Sequence, residues 1–412
     1  MKLFGAASTV FALALILAFS AVPPATQAVQ VAPPSAAQSH GTLQDGKAIF
    51  RFDTFGDEQL WTDVLRMHEV IATVPPETAL AVGLKVDVDA LPPSIIAALR
   101  TDDVDLGDPA VTIELLRLNA VVGVQGTVTD GTLTKVGITC ALCHSTVDNS
   151  FADGIGKRLD GWANIDLDVG QIAALSPAFD EATKAEFRTW GPGMYDPRHH
   201  AFDGTKIRLL NTPSLPIVIP SIYGLRGVAF ETFTADGPIS YWNSYVGVGQ
   251  MGGHGSFSDP RIDLSITQTP DRVTPQLPAL LAYQLSLRTP PPPKGSVDRA
   301  AAARGQRLFR NEAGCATCHQ GPTYTDVLSG PDASEPFLHD PSEVGTDPAY
   351  AARTATKQYR TTPLRGLQHH PPYFHDGSAP DLRAVVDHYD THFGLQLTEE
   401  QKQDLVEFLK SL

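Results

Sequence analysis

The strongest hydrophobic periodicity lies at the C-terminal end of the chain. In LTEEQKQDLVEFLKSL, apolar residues recur three and four positions apart, which predicts a helix with one buried face. Thr398 is a suitable N-cap because Gln401 stands three positions later, as in a capping box. Two segments upstream, SVDRAAAARGQRLFR and PDLRAVVDHYDTHFG, predict further helices. The buried face of the last helix consists of Leu405, Phe408, Leu409 and Leu412.

The N-terminal two thirds of the chain show shorter periodic segments. Between residues 57 and 71, apolar side chains at helical spacing predict one helix, with His68 on the same face. Proline after a turn in ATVPPETAL and in DALPPSII marks the starts of short helices. Residues 150–290 are rich in Gly, Pro and aromatic residues and have few long periodic stretches. The pattern predicts a mainly α fold with long ordered loops.

All four cysteines lie in two C-x-x-C-H sequences, CALCH and CATCH. In this motif two thiols attach a haem through its vinyl groups, and the adjacent histidine becomes the proximal iron ligand. A zinc ribbon would bring its two cysteine pairs closer in sequence, and a redox dithiol would not need histidine after both pairs. The sequence therefore predicts two covalently bound c-type haems. Their attachment and proximal residues are Cys140, Cys143, His144, Cys315, Cys318 and His319.

Composition and charge indicate how the chain is divided into segments, where the protein acts and which partners suit it. Residues 1–28 combine Lys2 with an apolar core and small residues, as in a secretory signal, so we expect a periplasmic or secreted protein without an integral span after cleavage. The net charge of −15 argues against a nucleic-acid partner and suits a basic redox donor, such as a small soluble cytochrome or a cupredoxin. The remaining segments are a flexible N-terminus (29–43), an N-terminal haem domain with a helical extension (44–288), a Pro-rich linker (289–296) and a C-terminal cytochrome c domain (297–412).

The ligand on the other face of each iron decides between electron transfer and reaction with a small oxidant. After CATCH the candidates include His388 and Tyr389, which lie next to each other on a predicted helix. No methionine follows residue 251, so a His/Met centre is excluded in the C-terminal domain. For the first haem, Met251 and His254 in GVGQMGGHGSF are weak candidates.

The segment LFRNEAGCATCHQGPTYTD, followed by YRTTPLRGLQHHPPYFHDGSAPDLRAVVDHY, resembles the C-terminal half of the bacterial di-haem cytochrome c peroxidases. That superfamily also includes the di-haem enzyme that matures tryptophan tryptophylquinone and the rubber oxygenases. The resemblance covers residues 297–412, whereas over residues 40–290 mainly CALCH and NTPSL match. It implies two cytochrome-c-like haem domains with an N-terminal helical extension and long loops.

The resemblance also implies roles for particular residues. The distal ligand of the second haem falls on Tyr389, with His388 as the alternative. A calcium ion between the domains would involve Asn211, Thr361 and Pro363, although ordinary turn residues explain these positions equally well. The family places a glutamine and a glutamate beside the reactive haem; Gln250 is near the expected place, without an obvious glutamate partner. This departure argues against ordinary peroxidase activity.

Three functions remain open on the sequence alone. The first is a peroxidase-like oxidoreductase, with an electron-transfer haem at His319 and a haem at His144 that activates peroxide or dioxygen. The second is a non-catalytic di-haem electron carrier, with Met251 or His254 closing the first iron. The third is a haem oxygenase that acts on an apolar substrate.

Overall fold

The computed structural model describes residues 36–101, 103–327 and 336–412, with side chains from residue 42 onward. The predicted signal segment 1–28 and residues 29–35 lie outside the described residues. The first helix begins at residue 36. The described part of the segment predicted as a flexible N-terminus, residues 36–43, is therefore helical. Within the described part, no helix combines the length and apolarity needed to cross a membrane.

Helices make up most of the regular structure of the described residues. The α-helices are α1 (Ala36–Phe52), α2 (Glu58–Trp61), α3 (Met67–Ile71), α4 (Pro76–Ala81), α5 (Pro93–Arg100), α6 (Pro109–Arg117), α7 (Ala141–His144), α8 (Val169–Ala174), α9 (Glu181–Phe187), α10 (Ile239–Tyr245), α11 (Leu277–Ser286), α12 (Arg299–Arg310), α13 (Pro341–Val344), α14 (Pro348–Ala352), α15 (Leu382–Phe393) and α16 (Glu399–Lys410).

The strands are short and form two-stranded ribbons. They are β1 (Val86–Asp87), β2 (Val124–Thr129), β3 (Thr132–Ile138), β4 (Ser145–Val147), β5 (Ile155–Gly156), β6 (Arg158–Asp160), β7 (Met194–Tyr195), β8 (His200–Phe202), β9 (Ile207–Leu209), β10 (Ile217–Val218), β11 (Phe257–Asp259), β12 (Leu264–Ile266), β13 (Leu338–His339) and β14 (Tyr359–Arg360). The pair β1–β5 is parallel. The pairs β2–β3, β4–β6, β7–β10, β8–β9, β11–β12 and β13–β14 are antiparallel.

The helix predicted between residues 57 and 71 is divided into α2 and α3. Arg66, directly before α3, has a φ of 55°, which is the left-handed region. An L-residue in that conformation cannot continue a right-handed helix, so the chain turns before α3 begins. The apolar side chains on both sides of the break still pack together: Leu60, Leu65 and Met67 are all buried in one core.

The C-terminal helices follow the sequence prediction closely. Thr398 Oγ1 accepts the backbone N–H of Gln401 at 3.3 Å, and the Gln401 side chain accepts the N–H of Thr398 at 2.8 Å, which confirms the capping box. Leu405, Phe408 and Leu409 are buried, as predicted, whereas Leu412 is only partly buried.

Helix α12 crosses α16 at very close range. A Cβ at Gly305 would stand 1.9 Å from the backbone oxygen of Asp404, so only glycine permits this approach. Arg304 beside it forms a two-armed ion pair with Asp404, at 2.8 and 2.5 Å. Phe309 at the end of α12 packs edge-on against Phe408, which joins the two helices into one core. This packing fixes the place where the second C-x-x-C-H motif leaves α12.

Candidate haem-binding site

Both C-x-x-C-H motifs open on one cavity of about 740 Å³. Its wall is mainly apolar and includes the six residues that the sequence assigns to haem attachment: Cys140, Cys143, His144, Cys315, Cys318 and His319. A concave, largely apolar space with a few polar groups is the usual setting for a cofactor. The fold therefore brings together two motifs that are far apart along the chain.

His144 ends the single turn of α7 and points one ring nitrogen at the backbone. Its Nδ1 lies 3.0 Å from the carbonyl oxygen of Pro220. A carbonyl at Nδ1 selects the tautomer with the lone pair on Nε2, which is the nitrogen that a metal needs. Burial lowers the pKa of His144 to about 4, so the ring is neutral at pH 7. His144 is thus held in the form that ligates iron.

His319 repeats this arrangement at the second motif. Its Nδ1 lies 2.8 Å from the carbonyl oxygen of Tyr324, and burial lowers its pKa. His144 and His319, far apart in sequence, therefore each have Nδ1 close to a backbone carbonyl oxygen and leave Nε2 free. This correspondence is the pattern expected of two proximal haem ligands.

The four thiols are free and half-buried, and burial raises their pKa values. The pKa rises to about 12 for Cys140 and Cys143 and to about 11 for Cys315. A redox-active dithiol needs the opposite, because the thiolate is the reactive form. The thiols suit covalent attachment to a haem better than thiol–disulfide exchange.

Tyr389 and His388 lie next to each other on α15 but face different surroundings. Tyr389 lines the cavity, whereas Nε2 of His388 lies 3.1 Å from the carbonyl oxygen of Val344 and its ring is not on the cavity wall. Burial, followed by the nearby Cys315 and Cys318 thiols, raises the pKa of Tyr389 to about 12. The phenol is therefore beside the second haem motif, and the histidine is engaged elsewhere.

Of the three candidate residues near the first haem, two line the cavity and one does not. Met251 and Gln250 line the cavity, and Met251 is buried. His254 does not lie on that wall, and its Nδ1 is 2.7 Å from the carbonyl oxygen of Pro270. Gln250 ends a π-helical turn, Val246–Gln250, that continues α10; such turns often occur at functional sites.

The structure adds two cavity residues, Tyr195 and His200, that sequence reasoning did not assign to the site. The Tyr195 hydroxyl donates to Gln250 Oε1 at 2.5 Å, and Gln250 Nε2 donates to the carbonyl oxygen of His200 at 2.7 Å. Their only sequence signals were a Tyr and a His-His pair in the turn-rich segment GPGMYDPRHH. Periodicity says nothing about residues in strands as short as β7 and β8, so only the tertiary structure places them.

The residues proposed for calcium make other contacts. Asn211 Nδ2 donates to the carbonyl oxygen of Arg198 at 2.7 Å. Thr361 accepts at its carbonyl oxygen from Thr325 Oγ1 at 2.5 Å, and its hydroxyl contacts His339. Pro363 lies on the cavity wall. A calcium site at these residues stays a prediction.

Cations suited to haem propionates also line the cavity. Arg360 and Arg365 both face the carboxylate of Glu231, at 3.0 and 3.6 Å. Two guanidinium groups against one carboxylate leave a net positive charge, and guanidinium groups bind carboxylates in paired geometry. With two thiol pairs, two histidines with a free nitrogen and this cationic patch, the residues present fit a c-type haem at each motif.

Comparison with known proteins finds matches to parts of the chain. The Cytochrome c family profile matches residues 302–412, so the C-terminal part is a cytochrome c domain, which implies haem c binding. The methylamine utilization protein MauG of Methylorubrum extorquens is 34% identical over 131 residues, which are 27% of this chain and 35% of that protein. The cytochrome c551 peroxidase of Pseudomonas aeruginosa is 32% identical over 152 residues, 32% of this chain and 42% of that protein.

Two further proteins are similar to parts of this chain. The cytochrome-c peroxidase IdrP1 of Pseudomonas sp. strain SCT is 32% identical over 26% of this chain and 39% of its own length. A solved MauG-like protein associated with microbial copper homeostasis has 21% identity and a TM-score of 0.35 over 49% of this chain and 76% of that chain, too loose to support an argument about fold. The chain spans about two fifths of the length of these curated relatives. It is a distant homologue of the di-haem cytochrome c peroxidase and MauG family.

Proposed function

We propose that the protein is a di-haem c-type oxidoreductase in which one haem holds electrons and the other reacts with peroxide or dioxygen. The observation that carries the proposal is the shared cavity: two C-x-x-C-H motifs open into it, and their surroundings differ. An aromatic residue, Tyr389, lies beside the second motif. Polar residues, including Gln250 and His200, lie elsewhere on the wall. The homology to di-haem peroxidases and MauG also favours a peroxidase-like haem oxidoreductase.

Each residue then has a limited task. The two thiol pairs fix the haems covalently, and His144 and His319 present Nε2 to the irons. Tyr389 is the proposed distal ligand at the second haem, in preference to His388, because only the tyrosine lines the cavity. A haem with an occupied sixth position supplies electron storage, and one with an open position supplies binding and reduction of a small oxidant.

The wider organisation belongs to the same proposal. We place a cytochrome-c-like domain on each side of the Pro-rich segment 289–296, with both haems near their boundary. The protein would act in the periplasm or outside the cell. It would receive electrons from a small basic cytochrome or a cupredoxin, to which the net charge of −15 is complementary.

Electron paramagnetic resonance of the oxidised holoprotein tests the proposal. We expect one high-spin iron that binds cyanide and one low-spin iron that does not. If both irons are low-spin and neither binds cyanide or peroxide, the proposed enzyme function is wrong.

A second function is favoured by one observation. Met251 is buried on the cavity wall, where its thioether could close the first iron and leave a pure electron carrier. Replacement of Met251 with Leu separates the two functions. An electron carrier would change from low-spin to high-spin at the first iron, whereas the proposed oxidoreductase would keep its wild-type spectrum. Peroxide consumption with a reduced donor by the wild-type protein would independently reject the carrier.

A further inference from the structure

The cavity wall carries a histidine for which the attachment of haem gives no role. His200 begins β8, lines the cavity, and has a buried Nδ1 without a hydrogen-bond partner among the described residues. A buried polar nitrogen without a partner is costly and calls for an explanation. The carbonyl of the same residue accepts from Gln250 Nε2 at 2.7 Å, which ties the backbone of His200 to the π-helical turn.

The surroundings of His200 keep its ring neutral. Burial and, to a smaller extent, the neighbouring His199 lower its pKa to about 4, while the Asp196 carboxylate acts in the opposite direction. The ring also packs edge-on against Tyr195, with centroids 6.3 Å apart, and against Phe187 at 6.1 Å. At pH 7 the imidazole is therefore a neutral base in an aromatic setting.

A polar network fixes the position of this base. Gln250 accepts from the Tyr195 hydroxyl at 2.5 Å and donates to Tyr245 Oη at 3.2 Å as well as to the His200 carbonyl. Behind His200, Nε2 of His199 lies 3.4 Å from the Glu186 carboxylate, an ion-pair distance. Asp196 and Glu186 are thus the carboxylates that act on this pair of histidines.

We infer that His200 is the proton acceptor for hydrogen peroxide at the first haem, with Gln250 as its positioning residue. This inference rests on the proposed function. It supplies an acid–base group beside Gln250, for which the sequence offered no obvious glutamate partner. A neutral imidazole in a cavity is the usual residue for this work.

The proton balance is simple. One proton moves from hydrogen peroxide to an imidazole nitrogen of His200, which leaves the hydroperoxide anion and a protonated ring. As the O–O bond breaks, the ring returns its proton to the departing hydroxide and forms water. Complete reduction to two waters takes two electrons from the reduced donor protein and two further protons from solvent.

Cyanide association tests the base without turnover, because hydrogen cyanide also gives up a proton when it binds ferric iron as the anion. In His200→Ala and His200→Gln holoproteins, we expect stopped-flow cyanide association and the bimolecular reaction with peroxide each to slow by about 10²–10³-fold. Added imidazole should restore part of the rate in His200→Ala. The matched control is His68→Gln, on α3 and away from the cavity wall, which should react like the wild type.

The outcomes separate the two proposals. If wild-type protein binds neither cyanide nor peroxide, the proposed function fails. If the wild type reacts and both His200 variants react equally fast, only the role of His200 is refuted. A change of the resting spectrum from six-coordinate to five-coordinate in both variants would make His200 an iron ligand and would also overturn the inference. His200→Gln retains a polar side chain of similar size, so slow binding together with a wild-type spectrum supports the base.

Discussion

The ion pair between Arg360 and Glu231 offers a direct measurement of how the cavity is held together. Arg360 Nη2 lies 3.0 Å from Glu231 Oε2, and the two side chains are 4% and 10% exposed. Arg360 lies in the C-terminal segment and Glu231 in the N-terminal one, so the pair joins the two parts of the chain at the cavity wall. Burial lowers the pKa of Arg360, and the Glu231 carboxylate acts against that effect.

Arg360→Met removes the cation and leaves a buried carboxylate with Arg365 alone, 3.6 Å away. Breaking one side of a buried pair typically costs about 3–5 kcal/mol, because the remaining charge is left uncompensated. Since Arg365 compensates in part, we expect the free energy of unfolding to fall by about 3 kcal/mol, at the lower end of that range. The double variant Arg360→Met with Glu231→Leu should recover part of this loss, because it removes the buried carboxylate but leaves Arg365 without its partner.

Urea denaturation of the holoprotein, followed by tryptophan fluorescence, measures both variants. The slope of the transition must stay constant for the comparison to report stability alone. Arg383→Met is the matched control, because that arginine is more than a third exposed. A loss below about 1 kcal/mol in Arg360→Met, the scale of a surface pair, would refute the reasoning. A double variant that is as unstable as the single one would refute it as well.

Four further changes test other parts of the structure. Gly305→Ala should lower the melting temperature, because α16 backbone lies 1.9 Å from the Cβ position. Thr398→Ala should cost about 1 kcal/mol in urea denaturation, since the capping box is lost. Tyr389→Phe should convert the low-spin signal of the second iron to high-spin, whereas His388→Phe should leave it unchanged. Cys315→Ser together with Cys318→Ser should reduce haem-specific staining of the denatured chain, since the second haem loses both thioether bonds.

Each of these has a contrary result. An unchanged melting temperature in the Gly305 variant would show that the two helices can separate without loss. Equal stability after removal of Thr398 would mean that water replaces the cap. A spectral change in the His388 variant alone would reverse the ligand assignment. Undiminished staining after loss of both Cys315 and Cys318 would contradict attachment at the second motif.

Local patterns predicted much of the C-terminal part. The apolar stripe of α16 and its capping box follow from spacing, because helix geometry places residues three and four apart on one face. The division between α2 and α3 did not follow, because the left-handed turn at Arg66 interrupts a pattern that is otherwise continuous. The first helix also extends into residues 36–43, where polar and small residues suggested no helix.

The sequence alone predicted the chemistry of attachment: each C-x-x-C-H motif places two thiols next to a histidine, and two such motifs predict two haems. The tertiary structure decided what faces those motifs. Both motifs line one cavity, and the carbonyl oxygens of Pro220 and Tyr324 lie next to the two histidines. Tyr389, rather than His388, lies on the cavity wall. The tertiary structure also brought His200 to Gln250, fifty positions apart. Such contacts depend on the long-range packing of short elements against one another, which no local pattern encodes.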